Sequence, residues 1–511
     1  MATSDTLDFV SSVGVGRMST VAQSRIDSRT FSAVRTNSSA ESLRQFEEAF
    51  ARTDLRGLVR RIDFDVILPP VSEKRLENKF QSSLEAKANS TAFSRAVLDL
   101  FARLSSWDAK GIALRVTATS PSDDETMRAT GRSISVRPRR NDFRYIGADL
   151  AAIPETGLPK VYSVSSLDME KLDCNSGNPS GRRLHPDLLQ VMMLSLPMLE
   201  SAKWEFFMPP RSRGQRRQEF RTALAAALDR SSFSSLQSLC ITLHDVDPRN
   251  ENAELESFVG DTGVDDLSAA VQGICNSPTL TTLRLCGKWS LSSTAFERGF
   301  GPSVSSVYID FSSISPSGNW LFDSIPHLAD EDETCDDYND NDSDDDEAST
   351  GGDLYDFNSA DSDEMDNLDS EAEDRANSFL PAQETRGRPN ADNFLPLFVS
   401  VTTAAAKSFN SLAHLEAHLM GGVSQVHLGY FGCRGGQGRE TAEFSVDWPH
   451  PWIRKRHPGE ELDKPTWYLA TWGAVDPDDW KIPRALRAAM ESCPTEVSIM
   501  THSNIKALEF E

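Results

Sequence analysis

The chain has 511 residues and a formal charge of -25, from 52 basic and 77 acidic side chains. The stretch Asp330 to Asp374 holds 22 of the acids and no base, so the remainder carries 55 acids against 52 bases, a balance of -3. The folded part is therefore nearly neutral, which excludes the broad basic field that nucleic-acid binding requires and leaves the low overall pI uninformative about partners.

In chain order, "MATSDTLDFVSSVGVGRM" has no basic start followed by an apolar run, so no secretory signal is read, and residues 1–22 are expected to be disordered. "VRRIDF" from Val59 introduces a recurring strand frame. "STAFSRAVLDLFARL" places Phe93, Val97, Leu100 and Leu104 on one helical face, with Ser90 or Thr91 as the cap, and leads into the alternating strand "IALRVTAT". "VSSLDM" from Val164 is the next strand. "PDLLQVMMLSL" opens a helix at Pro186, a favoured first-turn residue, before "SAKWEFF".

The pattern continues downstream. "RRQEFRTALAAALD" spaces Phe220, Leu224 and Leu228 four apart before "LCITL"; "VDDLSAAVQGIC" aligns Leu267, Val271 and Ile274 before "LRL". "NFLPLFVSVTTAAAKSF" brings Leu397, Val401 and Ala405 together before "HLEAHL", and "IPRALRAAMESC" precedes "EVSIM". The apolar window "FLPLFVSVTTAAA" from Phe394 is too short to span a bilayer, which takes about 20 residues.

The strands share a frame. "LQSLCITL" from Leu236 and "LTTLRL" from Leu280 both read L-x-x-L-x-[LI], and looser copies start at Val59, Val164, Leu199, Val304, Leu412 and Val423. The fourth position falls at 167, 202, 239, 283 and 307, in irregular, repeat-sized steps of 35, 37, 44 and 24. A doubly wound sheet, the alternative, would bury both strand faces and give near-continuous apolar runs. These strands instead alternate apolar residues with Ser, Thr, Arg, Lys, Asp or His, which predicts one dry and one wet face. The expected fold class is α/β, an irregular leucine-rich-repeat-like solenoid with a long disordered acidic insertion.

The expected organisation is a helix–strand repeat body over 23–328, the acidic insertion over 329–391, and a C-terminal continuation of the body over 392–511. Only 10 of the 45 residues from Asp330 to Asp374 are apolar. Such a composition does not offset a backbone ordering cost of about 1–2 kcal/mol per residue, so disorder is expected there.

Candidate chemistry has a plainer reading in each case. "HLEAH" (His414 to His418) spaces two histidines like a zinc helix, but Leu415 stands where the metalloprotease glutamate belongs, and no third ligand is evident in sequence. Surface histidines on a strand are the expectation. "GCRGGQGRE" from Gly432 lacks the Lys-Ser/Thr ending of a phosphate loop, and "DNDSDDDE" from Asp340 lacks the turning glycine and terminal glutamate of a calcium loop. The basic clusters "RSRGQRRQEFR" (Arg211 to Arg221) and "RPRRNDF" (Arg137 to Phe143) read as solvated faces. "DLYDFNSADSDEMDNLDSE" (Asp353 to Glu371) mixes acids with apolar residues, as partner-binding motifs do, but reads as a spacer. Within the acidic run, Ser343 and Ser370 each precede an acid by three residues and are candidate phosphoacceptors. The seven cysteines never fall within four residues of one another, against a CxxC site or a disulfide framework. No catalytic, cofactor-binding or metal-ligating set is expected.

"LVRRIDFDVILP" from Leu58, "LSSWDAKGIALRVTATSPSD" from Leu104, "LPKVYSVSSLDM" from Leu158, "RRLHPDLLQVMMLSLPMLESAKWEF" from Arg182 and "LQSLCITLHD" from Leu236 together resemble the fungal F-box proteins with an irregular leucine-rich-like body. "QSRIDSRTFSAVRTNSSAESLRQFEEAF" from Gln23 is similar to the segment just C-terminal to the F-box in that family. The resemblance implies a substrate receptor of a cullin–RING ubiquitin ligase, in which the F-box binds the ligase adaptor and the repeat body binds the target. The first 22 residues show neither a Leu-Pro start nor amphipathic helices, so only the target-binding half carries over. The expected function is a non-enzymatic protein-interaction module, the substrate-recognition part of such a receptor without its F-box, located in cytoplasm or nucleus, with a protein partner and neither membrane nor nucleic acid. Alternatives are a stand-alone scaffold whose acidic loop binds a basic partner, and an enzyme with a pocket at the strand ends.

Overall fold

The computed structural model describes residues 31–70, 82–122, 145–149, 151–154, 157–169, 183–211, 214–228, 234–245, 248, 255–260, 263–324, 386–420, 424–431, 466–473, 483–492 and 498–503. Its N-terminal half runs β1 (Ala33–Asn37), α1 (Ala40–Ala49), α2 (Thr53–Arg56), β2 (Arg61–Ile67), α3 (Ser83–Leu104), β3 (Ile112–Thr119), β4 (Tyr145–Ile146), β5 (Val164–Met169), β6 (Arg183–Leu184), α4 (Asp187–Leu194), β7 (Ser201–Phe207), α5 (Gly214–Ala227) and β8 (Ser238–His244). Beyond these come α6 (Asp266–Cys275), β9 (Thr282–Trp289), a 3-10 turn (Ser293–Phe296), β10 (Ser306–Phe311), β11 (Phe322–Ser324), β12 (Arg386–Pro389), α7 (Ala391–Lys407), β13 (His414–Met420), β14 (Ser424–Phe431), β15 (Thr466–Gly473), α8 (Arg484–Glu491) and β16 (Ser498–Ser503).

The fold is mixed α/β, centred on a twelve-stranded sheet of order β1-β2-β3-β5-β7-β8-β9-β10-β13-β14-β15-β16. Neighbours in space are neighbours in sequence, apart from β4, β6, β11 and β12, which form two small sheets of their own. The sheet is parallel from β1 to β13; β14 enters antiparallel by a hairpin, and β15 and β16 resume the first direction.

The recurring frame has a spatial meaning. Its fourth positions Leu167, Ala202, Leu239, Leu283, Val307 and Leu415 are cross-strand partners in one continuous row, extended backwards by Leu114 and Ile62. Two residues on, Met169, Trp204, Ile241, Leu285, Ile309, Ala417, Leu428 and Leu469 form a second row. Every member of both rows is buried. They share one apolar cluster with the helix residues Phe93, Leu100, Leu188, Phe220, Leu224, Val271, Phe398 and Leu486. The period of two thus fixes register, because a one-residue slip would turn both rows to the polar side.

Several local expectations are corrected. The α3 helix starts upstream of Ser90, with Ser82 as its cap, accepting from the Glu85 N–H at 3.2 Å. Ser90, Thr91 and Ser94 instead hold the segment beyond β4: Ser90 Oγ accepts from Gly147 N–H at 3.0 Å, Ser94 Oγ from Asp149 N–H at 2.9 Å, and Thr91 donates to the Asp149 carboxylate. The span 329–391, read as acidic insertion, ends in order: β12 pairs antiparallel with β11, and α7 begins at Ala391, capped by Asn390. Residues 325–385, including the acidic run with Ser343 and Ser370, lie outside the described residues, as do residues 1–22, "RPRRNDF" and "GCRGGQGRE". Among the described residues no helix is long and apolar enough to cross a membrane.

Candidate functional site

Alternation that buries one face sends the intervening side chains to the other. There Arg35, Asp63, Arg115, Asp168, Lys203, Cys240, Arg284, Tyr308, Glu416 and Gly429 succeed one another as register partners across ten strands. At the β1–β7 end the row alternates in sign and meets solvent: Arg35 and Lys203 are exposed, and Asp63, Arg115 and Asp168 are half-buried. Towards β14 it sinks into the protein and becomes a compact cluster of histidines, carboxylates and a phenol.

That cluster is built by strand geometry. In β13 the residues His414, Glu416 and His418 are two apart and therefore share a face. His418 stands opposite Asp310 of β10 on one side and opposite His427 of β14 on the other. His414 Nε2 lies 3.0 Å from Glu416 Oε1, His418 Nε2 lies 3.7 Å from Glu416 Oε2, and His418 Nδ1 lies 3.3 Å from Asp310 Oδ1. The Tyr308 hydroxyl approaches the same Nδ1 at 3.4 Å, and the His418 and His427 rings sit 4.2 Å apart at 70°. Asp310 is held from behind, its Oδ2 accepting from the Gly287 N–H at 2.9 Å. Only glycine serves there: φ is +90°, and a Cβ would meet the Leu243 carbonyl oxygen at 2.3 Å.

Electrostatics follows from this packing. Burial would raise the Glu416 pKa, but the His414 hydrogen bond and the charges of His414, His427 and His418 outweigh it and hold the carboxyl at about 2. Tyr308 is pushed far up, first by burial and then by the Asp310 charge, so it stays a neutral phenol. Its ring lies 5.4 Å from the Arg284 guanidinium carbon. Cys286 is likewise raised, first by its hydrogen bond with Cys240 and then by burial. Glu416, His418 and His427 each offer one ligand atom, all within 4.8 Å of one another. Two imidazoles and a carboxylate are a donor set that suits zinc or a similar divalent ion.

Comparison with protein-family models, with curated proteins and with solved structures returned no match to this chain. The site therefore rests on its own geometry.

"HLEAH" lies on a strand, as the frame implies, but its histidines are not surface residues: His418 is 8% exposed, and His427, which no sequence motif singles out, is 3% exposed. The group that could hold an ion is not the His414–His418 pair: it takes Glu416 and His418 from this strand and His427 from the antiparallel partner strand, which a search at helical spacing does not reach. Two arginines of the Arg211–Arg221 cluster depart from a solvated face in the same way, while Arg216 is exposed as expected. Arg217 and Arg221 are 1% and 4% exposed. Arg217 binds Asp245, Glu256 and the Pro209 carbonyl, and Arg221 binds Asp265 and the Ser290 carbonyl. A buried guanidinium requires such partners, and these carboxylates arrive from loops far along the chain.

Proposed function

We propose that this chain is a non-enzymatic interaction protein, built as an irregular leucine-rich-repeat-like solenoid, whose polar strand face holds a protein partner. The observation that carries this reading is the row Asp63, Arg115, Asp168, Lys203, which alternates in sign on four successive strands. A rigid sheet presents those charges at the inter-strand spacing of about 4.8 Å. A partner of opposite alternation is oriented by such a pattern, which sets specificity and association rate more than raw affinity. The resemblance of the body to fungal F-box proteins supports the narrower role of target recognition for a cullin–RING ligase, in cytoplasm or nucleus.

The test is quantitative affinity capture from cells with the full chain and with an Arg115→Glu, Lys203→Glu variant of unchanged thermal stability. Partners recruited by this face should fall at least about tenfold in the variant, since a lost charge pair of about 1.4 kcal/mol is a factor of ten. An unchanged partner set would overturn the reading. Recovery of a ligase adaptor among the wild-type partners supports the receptor role; specific partners without it support a stand-alone scaffold.

A further inference from the structure

We propose that Glu416, His418 and His427 form a zinc site that joins β13 to β14 where the sheet turns from parallel to antiparallel. The juxtaposition does not depend on the partner-binding role of the charged row.

Three observations carry the inference. The first is the donor set. Two imidazoles and one carboxylate with ligand atoms inside 4.8 Å match the three-protein-ligand arrangement of open zinc sites, and their nitrogen donors disfavour calcium and magnesium, which take oxygen. Zinc bonds of about 2.0–2.1 Å put tetrahedral ligands about 3.4 Å apart. Glu416 Oε2 and His418 Nε2 already stand 3.7 Å apart. Binding requires side-chain rotation to close the rest of the 4.8 Å spread.

The second is the shell behind the ligands. Metal-bound histidine commonly engages a carboxylate through its other ring nitrogen, which fixes the ring and raises its basicity. His418 is placed near such a group: Nδ1 lies 3.3 Å from Asp310 Oδ1, in a contact that is not a hydrogen bond, and 3.4 Å from the Tyr308 hydroxyl, while Nε2 lies 3.7 Å from Glu416 Oε2. Asp310 is itself oriented by the Gly287 N–H, and Glu416 is oriented through its other oxygen by His414.

The third is placement. His418 and His427 are direct partners in the antiparallel ladder, so their separation is set by backbone hydrogen bonds and not by a flexible loop. Rigid strands give the pre-organisation that metal affinity needs. Three protein ligands leave a fourth position for water or for a donor from a bound partner.

The experiment titrates the purified full-length chain, stripped with chelator and exchanged into buffer, with Co2+ and then with competing Zn2+. The expected result is one equivalent of Co2+ giving the intense visible absorption of a nitrogen-ligated tetrahedral ion, displaced by one equivalent of Zn2+. His427→Gln and His418→Ala should each abolish the band, whereas His244→Ala, on the same face but outside the cluster, should leave it intact. Asp310→Asn, behind the ligand, should weaken affinity about 10- to 100-fold. The acidic run gives only weakly absorbing, oxygen-ligated Co2+, so its contribution is separable. No stoichiometric band in the wild-type chain would overturn the proposal, whether or not the variants fold. A band that survives both histidine substitutions would overturn it equally.

Discussion

Arg217 donates to both carboxylate oxygens of Asp245, from Nη1 at 2.9 Å and Nη2 at 2.8 Å, while its Nε reaches Glu256 at 2.9 Å. The guanidinium lies 1% exposed between the start of α5 and the loop beyond β8. Burial works against its charge, but the two carboxylates outweigh burial and raise its pKa. Replacing it with methionine keeps most of the volume, leaves the buried Asp245 carboxylate with only Arg211 at 3.4 Å, and takes the guanidinium from the half-buried Glu256. Breaking a buried pair from one side costs about 3–5 kcal/mol. Urea unfolding of Arg217→Met should show a lower midpoint at unchanged slope, and a loss under about 1 kcal/mol would show the network to be solvated.

Asp265 performs two tasks that a pair of substitutions separates. Its carboxylate accepts from Arg221 Nε at 3.1 Å and Nη2 at 2.7 Å, and it caps α6 by accepting from the Ser268 N–H at 3.0 Å. Asp265→Asn keeps the cap and removes the charge, whereas Asp265→Ala removes both. Both variants should be strongly destabilised, because Arg221 is buried. Alanine should be worse than asparagine by about 1 kcal/mol, the worth of an N-cap. Equal midpoints in a thermal melt would place the whole effect on the ion pair.

The helix–strand order, the buried rows and the in-sequence pairing were legible because they depend on local periodicity. A frame whose fourth residue is apolar at Leu167, Leu239, Leu283 and Leu415 states both the face and, given neighbouring strands, the register. The polar cluster was not legible. Its assembly needs Asp310 beside His418, across the undescribed span 325–385, and His427 opposite, across a hairpin that reverses direction. Sequence spacing records the i, i+2 relation of Glu416 and His418 but not what the adjacent strands bring to it. The buried arginines were hidden for the same reason: Arg217 looks solvated until Asp245 and Glu256 are placed around it.

Two glycines should respond to alanine in opposite directions. Gly287 has φ +90°, and the added Cβ would sit 2.3 Å from the Leu243 carbonyl oxygen, in a backbone that cannot yield without breaking the β8–β9 ladder. Gly273 lies inside α6, and a Cβ added to its backbone would meet nothing within 4 Å. Gly287→Ala should therefore cost about 2 kcal/mol or more through strain. Gly273→Ala should gain about 0.5–1 kcal/mol through helix propensity and a less flexible unfolded chain. Melting both variants beside the wild type checks the pair, and a stabilised Gly287→Ala would mean that β9 does not approach β8 as closely as stated.

Cys275 closes α6 with its thiol fully buried, and burial pushes its pKa up to about 12. A raised thiol pKa depletes the thiolate, so reactivity is low at neutral pH and climbs about tenfold per pH unit until that value is reached. At pH 8 only about one molecule in ten thousand carries the thiolate. Brief iodoacetamide treatment of the native chain at pH 8 should leave Cys275 unmodified by peptide mass spectrometry, and the same treatment in concentrated urea should label it fully. Cys286 is also raised, through its hydrogen bond with Cys240, and should label more slowly than an unstructured thiol. Native labelling of Cys275 at the unfolded rate would mean that α6 opens readily from the sheet, which the shared burial of Leu267, Val271 and Ile274 against the strand rows does not allow.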